Sequence, residues 1–307
     1  MPAVELSTAT IHYQRTGPPD GRPIVFVHGY AMGGSLWSEL AELLAARGFS
    51  CIAPTWPLGA HAEPVRSWEL TMESVAATVA EFLGALALED VVLVGNDTGG
   101  AIAQVVAVDS SERLGGLVLT SCDAFEHFPP PILKPLIAAA KAPAAFAVAL
   151  LGLLTRFGRQ RAYGALAHAD IDELVVEWTR PALSDRAIRE DLRRFTASLR
   201  QETTVRAGAR LGEFVKPALV AWSEDDAFFP VEDGRRLAAA LGDGRFELVG
   251  GARTFAMVDQ PVRLAELIGE FAGAAAGSGG GEVGGCVDAR RGTWAGPRER
   301  RALSGGR

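Results

Sequence analysis

Short apolar runs alternate with longer segments of helical period along most of the chain. The apolar runs are rich in β-branched residues and are bounded by turn residues, as is typical of strands in a mostly parallel sheet. The clearest helical segment, residues 72–86, repeats apolar residues at helical spacing behind Thr71, which can cap its first turn. The alternation predicts the α/β class, with helices covering the sheet. The predicted strands are residues 10–14, 24–27, 50–53, 91–94, 116–120, 218–222 and 246–249.

The same pattern divides the chain into three parts. Residues 125–214 show helical periods and no convincing strand, which predicts a helical lid inserted into an α/β core of residues 1–124 and 215–273. From residue 274 to residue 307 the sequence is rich in glycine and arginine and nearly free of large aliphatic residues. Such a segment buries too little apolar surface to offset the entropy of ordering it, so we predict a disordered tail.

Composition limits the expected location and cofactors of the protein. The chain carries 30 lysines and arginines against 37 aspartates and glutamates, so it lacks the overall basic character that binding to nucleic-acid phosphates requires. Its three cysteines are widely spaced, and its first residues lack the pattern of an export signal, so we expect a cytoplasmic protein. The sequence shows no motif for a nucleotide, a flavin or a metal, and we expect no cofactor.

The most membrane-like segment is residues 142–154. It is well short of the ~20 apolar residues that a membrane-spanning helix needs. We expect a buried or pocket-lining helix there, and neither a membrane nor nucleic acid is an expected partner. The sequence leaves a homodimer open.

An acid stands at a tight turn between a predicted strand and a predicted helix. The turn reads Gly95-Asn96-Asp97-Thr98-Gly99, a G-x-nucleophile-x-G pattern with aspartate at the centre. The flanking glycines remove side chains that would collide at so sharp a turn, and the helix N-terminus favours an ionised carboxylate. Such a carboxylate can attack an electrophilic carbon and form an ester. The alternative is a glycine-rich turn in which Asp97 serves only as the N-cap of the helix.

A second turn, His28-Gly29-Tyr30, follows an earlier predicted strand. With both turns, the sequence resembles the α/β-hydrolase superfamily, and within it the epoxide hydrolases and haloalkane dehalogenases that use an aspartate nucleophile. The resemblance covers the predicted core and implies a mostly parallel sheet with a helical lid inserted after the sixth strand. It also implies that the backbone N–H groups of Tyr30 and Thr98 form an oxyanion hole.

The resemblance further implies a supporting acid on a loop after a later strand. The stretch AWSEDDAFFP, residues 221–230, has Asp226 four residues before proline, as in the family, and we favour it over Asp225. In the dehalogenase branch the acid can instead follow the preceding core strand, where this sequence has Asp123. For all three residues the alternative is an acidic loop in water.

The catalytic histidine that the resemblance implies is missing. In these families it follows the last strand, and aligning GGARTFAMVDQP, residues 250–261, on that region puts Thr254 in its place. The histidine activates the water that releases the ester, and a threonine hydroxyl cannot act as that base near neutral pH. His61 and His127 follow strand ends on the side where the pocket should open, so each is a candidate replacement. His28 more often shapes the oxyanion loop.

The resemblance also bears on the substrate. Halide release is weakly supported, because Thr98 and Tyr30 stand where dehalogenases commonly have tryptophan and asparagine. Epoxide opening stays open, because epoxide hydrolases commonly use lid tyrosines to protonate the epoxide, and this lid has Tyr163. The apolar residues of the lid suggest an apolar cavity. The residues predicted to contact substrate are His28, Asn96, Asp123, Phe125, Tyr163, Phe228 and Phe229.

Three hypotheses are compatible with an Asp97 turn that lacks its histidine. The first is a hydrolase in which Asp97 attacks a small apolar electrophile, namely an epoxide, a haloalkane or an ester, with Asp226 as supporting acid. The second is a non-hydrolytic lyase, isomerase or cyclase in which Asp97 carries a proton, since such chemistry gains from excluding water. The third is a small-molecule-binding protein that keeps the pocket without turnover.

Overall fold

The computed structural model describes residues 1–67 and 69–277. The strands of this part of the chain form one mixed sheet in the order β1-β2-β4-β3-β5-β6-β7-β8, in which β3 to β8 run parallel and β1 and β2 pair antiparallel. The predicted α/β class with a mostly parallel sheet is confirmed. The strands are β1 (Ala3–Glu5), β2 (Thr10–Thr16), β3 (Pro23–Val27), β4 (Ser50–Pro54), β5 (Val91–Asp97), β6 (Leu114–Cys122), β7 (Pro217–Ser223) and β8 (Asp243–Val249).

The helices cover both faces of the sheet. Thr71 begins α2 as predicted, because its hydroxyl accepts a hydrogen bond from the N–H of Ser74 at 3.2 Å in a capping box. The helices are α1 (Ser38–Ala45), α2 (Met72–Ala85), α3 (Thr98–Asp109), α4 (Lys134–Ala139), α5 (Pro143–Leu150), α6 (Arg156–Tyr163), α7 (Asp172–Ser184), α8 (Arg186–Ser198), α9 (Gln201–Arg210), α10 (Val231–Ala240), α11 (Ala256–Asp259) and α12 (Pro261–Gly277).

Successive residues of a central strand belong to two different cores. In β3, Ile24 and Phe26 pack with α1 and α12 on one face, whereas Val25 and Val27 pack with α2 and α3 on the other. Side chains alternate across a strand, so a strand buried on both faces needs an unbroken apolar run. This explains why the short apolar runs of the sequence mark the strands.

The predicted helical insertion after the sixth strand is present. Helices α4 to α9, together with short 3₁₀ turns, occupy the chain between β6 and β7. Helix α5 and the following turn coincide with the apolar segment 142–154. Phe146 and Leu150 are buried there, but Val148, Leu151 and Leu154 are exposed, so the expectation of a buried helix holds for one face only. None of the helices in the described part of the chain combines the length and hydropathy needed to cross a bilayer.

The structure differs from the predicted pattern at both ends of the core. The short edge strand β1 was not predicted, because its three residues are too few to show a period. Helix α12 continues to Gly277, so the first residues of the segment predicted to be disordered from residue 274 are helical. Residues 278–307 lie outside the described part of the chain.

Candidate active site

The Asp97 turn joins β5 to α3 and has a strained backbone. Asp97 has a φ of +54°, a region that non-glycine residues rarely occupy. A Cβ atom at Gly99 would lie 2.2 Å from the carbonyl oxygen of Val27, and one at Gly95 would lie 2.7 Å from Cα of Gly100. Only glycine fits at these two positions, which allows the turn to display Asp97 at the N-terminus of α3.

One oxygen of the Asp97 carboxylate is held by two backbone amides. Oδ1 accepts hydrogen bonds from the N–H of Thr98 at 2.6 Å and from the N–H of Tyr30 at 3.2 Å. These are the two amides predicted to form an oxyanion hole. Both amides bind Oδ1, so neither of them donates to Oδ2.

A second carboxyl group, Asp123, lies beside the first. It follows β6, and its N–H donates to the carbonyl oxygen of Asp97 at 3.3 Å. Its Oδ2 accepts a hydrogen bond from the hydroxyl of Thr98 at 2.9 Å, and the side chain of Gln104 donates to its carbonyl oxygen at 3.0 Å. The residue is 3% exposed, and its Oδ1 has no hydrogen-bond partner within the described part of the chain.

The two carboxyl groups differ in how their charge is stabilised. Burial raises the pKa of Asp97, while the N–H groups of Thr98 and Tyr30 oppose this rise. Burial and the neighbouring charge of Asp97 raise the pKa of Asp123 well above its usual range, and only the Thr98 hydroxyl opposes them. Asp97, with two amide donors at a helix N-terminus, is therefore the partner that ionises first.

The acid loop contacts the residue at the position of the missing histidine. Oδ1 of Asp226 accepts hydrogen bonds from the N–H groups of Phe228 at 2.8 Å and Phe229 at 3.0 Å. It also accepts one from the hydroxyl of the fully buried Thr254 at 3.1 Å. Thr254 thus stands beside the acid. The neighbouring Asp225 instead pairs with His168 at 3.1 Å, on the exposed side of the loop.

An apolar cavity of about 220 Å³ opens above Asp97. Asp97, Thr98 and Asp123 contribute polar groups to its lining, and aliphatic side chains from the insertion form much of the wall. Of the predicted site residues, those on the lining are Tyr30, Asp97, Thr98, Asp123, Tyr163 and Phe228. The aliphatic wall includes Leu133, Leu136, Leu150, Leu153, Leu183 and Leu192.

Residues 22–261 match the family model for the alpha/beta hydrolase fold. This chain belongs to that family. The match spans most of the core and the whole helical insertion, so both parts of the molecule lie within the alpha/beta hydrolase fold.

The relatives of this hydrolase-fold chain are distant. It is 25% identical to a 2-hydroxy-6-oxononadienedioate/2-hydroxy-6-oxononatrienedioate hydrolase of Paraburkholderia xenovorans, over 85% of this chain and 90% of that protein. It is 26% identical to haloalkane dehalogenase 2 of Mycobacterium bovis, over 87% of this chain and 93% of that protein. A haloalkane dehalogenase structure from Bradyrhizobium elkani superposes with a TM-score of 0.74 at 17% identity, covering 90% of this chain and 98% of that one. At this identity the last comparison shows the fold alone.

Neither predicted replacement histidine of this hydrolase-fold chain reaches Asp97. His61 is buried and bonds Asp191 at 3.1 Å, and His127 bonds Asp233 at 2.6 Å. Neither histidine therefore takes the place of the missing base, in contrast to what we expected. The remaining histidines are also engaged away from Asp97: His12 bonds Glu63, His168 bonds Asp225, and His28 accepts from the N–H of Trp56.

Four residues predicted to contact substrate lie off the cavity lining, and each has a structural partner instead. Nε2 of the fully buried His28 accepts the Trp56 N–H at 2.8 Å, and burial lowers its pKa to about 4, so it is a neutral part of the loop scaffold. The amide of Asn96 donates to the carbonyl oxygen of Thr254 at 2.9 Å and ties the turns together. The ring of Phe125 lies under the guanidinium of Arg236, and the carbonyl oxygen of Phe229 accepts the Trp222 indole N–H.

Sequence reasoning missed several residues of the site. Gly59 and Ala31 line the cavity from loops after β4 and β3, and Trp178 and Leu192 line it from the insertion. The helical periods of α7 and α8 could have shown that one face of each helix is apolar, but not which face meets the cavity. Among the described residues, no cluster of three or more His, Cys, Asp or Glu side chains could hold a metal ion.

Proposed function

We propose that this chain is a hydrolase-fold enzyme whose Asp97 carboxylate attacks a small apolar electrophile. The observation that carries the proposal is the pair of amides on Asp97 Oδ1, at 2.6 and 3.2 Å, at the edge of an apolar cavity. An aspartate that served only as an N-cap would not need a second donor from a different loop. The names of the relatives, which include hydrolases and a haloalkane dehalogenase, support a small organic substrate.

The reaction begins with an alkyl transfer to the protein. Oδ2 of Asp97 forms a bond to the electrophilic carbon while the bond from that carbon to its leaving group breaks, which leaves an ester on Asp97. Water then adds to Cγ of that ester. The oxygen that develops negative charge in this second step is Oδ1, which already accepts hydrogen bonds from Thr98 and Tyr30.

The second half of the reaction lacks its usual catalyst. The Thr254 hydroxyl donates its proton to Asp226 and has no pKa near neutrality, so it cannot remove a proton from water. General-base catalysis is typically worth ~10²–10⁴-fold in rate. We therefore expect release of the ester to be slower than its formation, so that the covalent intermediate accumulates.

The test is intact-protein mass measured after incubation with hexyl bromide and with cyclohexene oxide. We expect an adduct of the alkyl mass that maps to Asp97 in the wild-type chain and is absent in Asp97→Asn. Asp225→Asn is the matched control, because it removes an exposed carboxylate from the acid loop and should form the adduct normally. The proposal fails if neither reagent gives an adduct or a product, or if Asp97→Asn reacts as the wild type does. Thermal stabilisation by these compounds without reaction would support the binding-protein hypothesis instead.

A second candidate is a non-hydrolytic reaction in which Asp97 carries a proton. It is supported by the residue at the position of the water-activating histidine. Thr254 stands there, donates a hydrogen bond to Asp226 at 3.1 Å and transfers no proton near neutral pH. Thr254→His separates the two candidates, because it places an imidazole beside Asp226. Faster release of the Asp97 ester supports the hydrolase, whereas loss of a native turnover with gain of hydrolysis supports the second candidate.

A further inference from the structure

The polar groups on the cavity lining leave few atoms free to exchange a proton with a substrate. The hydroxyl of Tyr163 donates to the carbonyl oxygen of Ala31 at 3.0 Å. Tyr30 must donate to the hydroxyl oxygen of Thr196 at 2.6 Å, because Thr196 gives its own proton to the carbonyl of Leu192. The lining tyrosines are therefore committed to the protein.

The other donors on the lining are committed in the same way. The Trp178 indole N–H donates to Ser35 Oγ at 2.8 Å, and the Thr179 hydroxyl donates to the carbonyl of Val175 at 2.6 Å. The Thr98 hydroxyl donates to Asp123 Oδ2 at 2.9 Å. Asp123 differs from these groups. Among the described titratable residues of the lining other than Asp97, it has an oxygen, Oδ1, without a hydrogen-bond partner.

We infer that Asp123 is the proton-transferring residue of this site and that its substrate class is the epoxides. The inference rests on the proposed role of Asp97 as nucleophile. A buried polar atom without a partner costs free energy, and such an atom beside a nucleophile is where a ligand is expected to supply the partner. An epoxide needs a proton on its oxygen when the ring opens, whereas a halide leaves without one.

The protonation states of the pair suit this role. The amides of Thr98 and Tyr30 favour the charged form of Asp97, whereas burial and the charge of Asp97 keep the proton on Asp123 by raising its pKa. Of the neighbouring titratable groups, the charge of Asp226 raises the pKa of Asp97 and so opposes the two amides, and burial raises the pKa of Cys122, so that thiol stays neutral. One ionised and one protonated carboxyl are the nucleophile and the acid that ring opening requires.

Bonds and protons are conserved over the two steps of the reaction. In the first, Asp97 Oδ2 bonds to an epoxide carbon, the carbon–oxygen bond of the ring breaks, and the Asp123 carboxyl gives its proton to the released oxygen. In the second, water adds to Cγ of the Asp97 ester more slowly, because no histidine activates it, and the proton that the water loses returns to the Asp123 carboxylate. The adduct collapses to a carboxylic acid and an alkoxide, and the acid proton moves to the alkoxide. A diol leaves, Asp97 is again ionised and Asp123 again protonated, so no further base is consumed.

The experiment compares Asp123→Asn with the wild type on two electrophiles. Asparagine keeps the size of the carboxyl but cannot transfer its proton, so we expect adduct formation with cyclohexene oxide to fall by ~10²-fold or more. Adduct formation with hexyl bromide needs no acid and should continue in Asp123→Asn but not in Asp97→Asn. The bromide reaction therefore also shows that the variant is folded at the site. Equal loss of both reactions in Asp123→Asn, or no loss of either, overturns the inference.

A wild-type pH profile gives a second readout that does not depend on a variant. Ring opening should rise with pH as Asp97 ionises and fall at higher pH as Asp123 loses its proton, above the usual carboxyl range. Alkylation by hexyl bromide should show the rise without the fall. Two identical profiles would contradict the role of Asp123. If the wild type reacts with neither compound, the proposed function fails first.

Discussion

Substitution of Gly29 tests whether the two amide hydrogen bonds to Asp97 Oδ1 require a residue without a side chain at position 29. A Cβ atom placed on Gly29 would lie 2.2 Å from Asp97 Oδ1 and 2.6 Å from Asp97 Cβ, whereas real Cβ contacts are at least 3.0 Å. In Gly29→Ala the carboxylate must therefore move by about 0.8 Å or more, unless the Gly29 loop moves instead. Either movement separates Asp97 from the loop that carries the Tyr30 N–H.

The size of the effect follows from the hydrogen-bond distances. The Tyr30 N–H to Oδ1 distance is already 3.2 Å, so a further separation of this size breaks the bond. Loss of one oxyanion-hole donor typically costs ~10²–10³-fold in rate, and loss of a hydrogen bond to a charged group costs ~1.5–3 kcal/mol of stability. We expect Gly29→Ala to release the Asp97 ester at least ~10²-fold more slowly, because negative charge develops on Oδ1 in that step, and to unfold at lower denaturant concentration.

The assay is the decay of the adduct mass after unreacted hexyl bromide has been removed, with urea unfolding measured on the unreacted proteins. Gly273→Ala is the matched control, because Gly273 is exposed in α12 and a Cβ there would meet no atom within 4 Å. That substitution should leave the rate of ester release unchanged and stabilise the helix by about 0.5–1 kcal/mol. Release of the Asp97 ester in Gly29→Ala at the wild-type rate, with unchanged unfolding, would refute the reasoning.

Two further predictions concern the loops that surround the site. The pKa of His28 falls from 6.5 to about 4 in the folded chain, so the unfolded chain alone takes up this proton as pH falls through that interval. As pH falls through this interval, His28 therefore lowers the free energy of unfolding by up to ~1.4 kcal/mol per pH unit. Urea unfolding of His28→Gln should show a smaller decrease in that free energy over the same range. Asp226→Ala removes the acceptor of three hydrogen bonds and should cost ~2–4 kcal/mol, whereas Asp226→Asn keeps an acceptor oxygen and should cost ~1 kcal/mol or less. Equal melting of the two Asp226 variants would contradict that assignment.

The strands and the Asp97 turn were predictable because their signals are local. A central strand of a parallel sheet is buried on both faces, so an apolar run identifies it without knowledge of its position in the sheet. Gly95 and Gly99 identify the turn, because a side chain at either position would collide with the neighbouring backbone. The family resemblance also implied the two loops that carry Asp226 and Thr254, although the hydrogen bond between the two residues was not predicted. These parts of the site depend on the backbone, which the local pattern largely determines.

The partners of the histidines could not be predicted, because each lies far away in sequence. His61 meets Asp191 across 130 positions, and His127 meets Asp233 across 106. Both follow strand ends, as expected of residues near a pocket, but helices α8 and α10 carry the carboxylates that hold them. The orientation of a helix relative to the sheet is set by packing between distant segments, which a single sequence does not show.

Asp123 presents a conflict between stability and chemistry that the fold alone does not explain. Its Oδ1 is buried without a partner in the described part of the chain, a state that typically costs ~1–3 kcal/mol. Because its pKa is raised in the folded state, the unfolded chain releases this proton first, so stability falls as pH rises above the usual carboxyl range. Asp123→Asn removes that loss and should be more stable than the wild type, by an amount that grows with pH, although it opens epoxides more slowly. Urea unfolding of both proteins at several pH values measures the difference. A variant that is less stable at every pH would show that the carboxyl holds the fold together, and the reason to assign it a proton-transfer role would be gone.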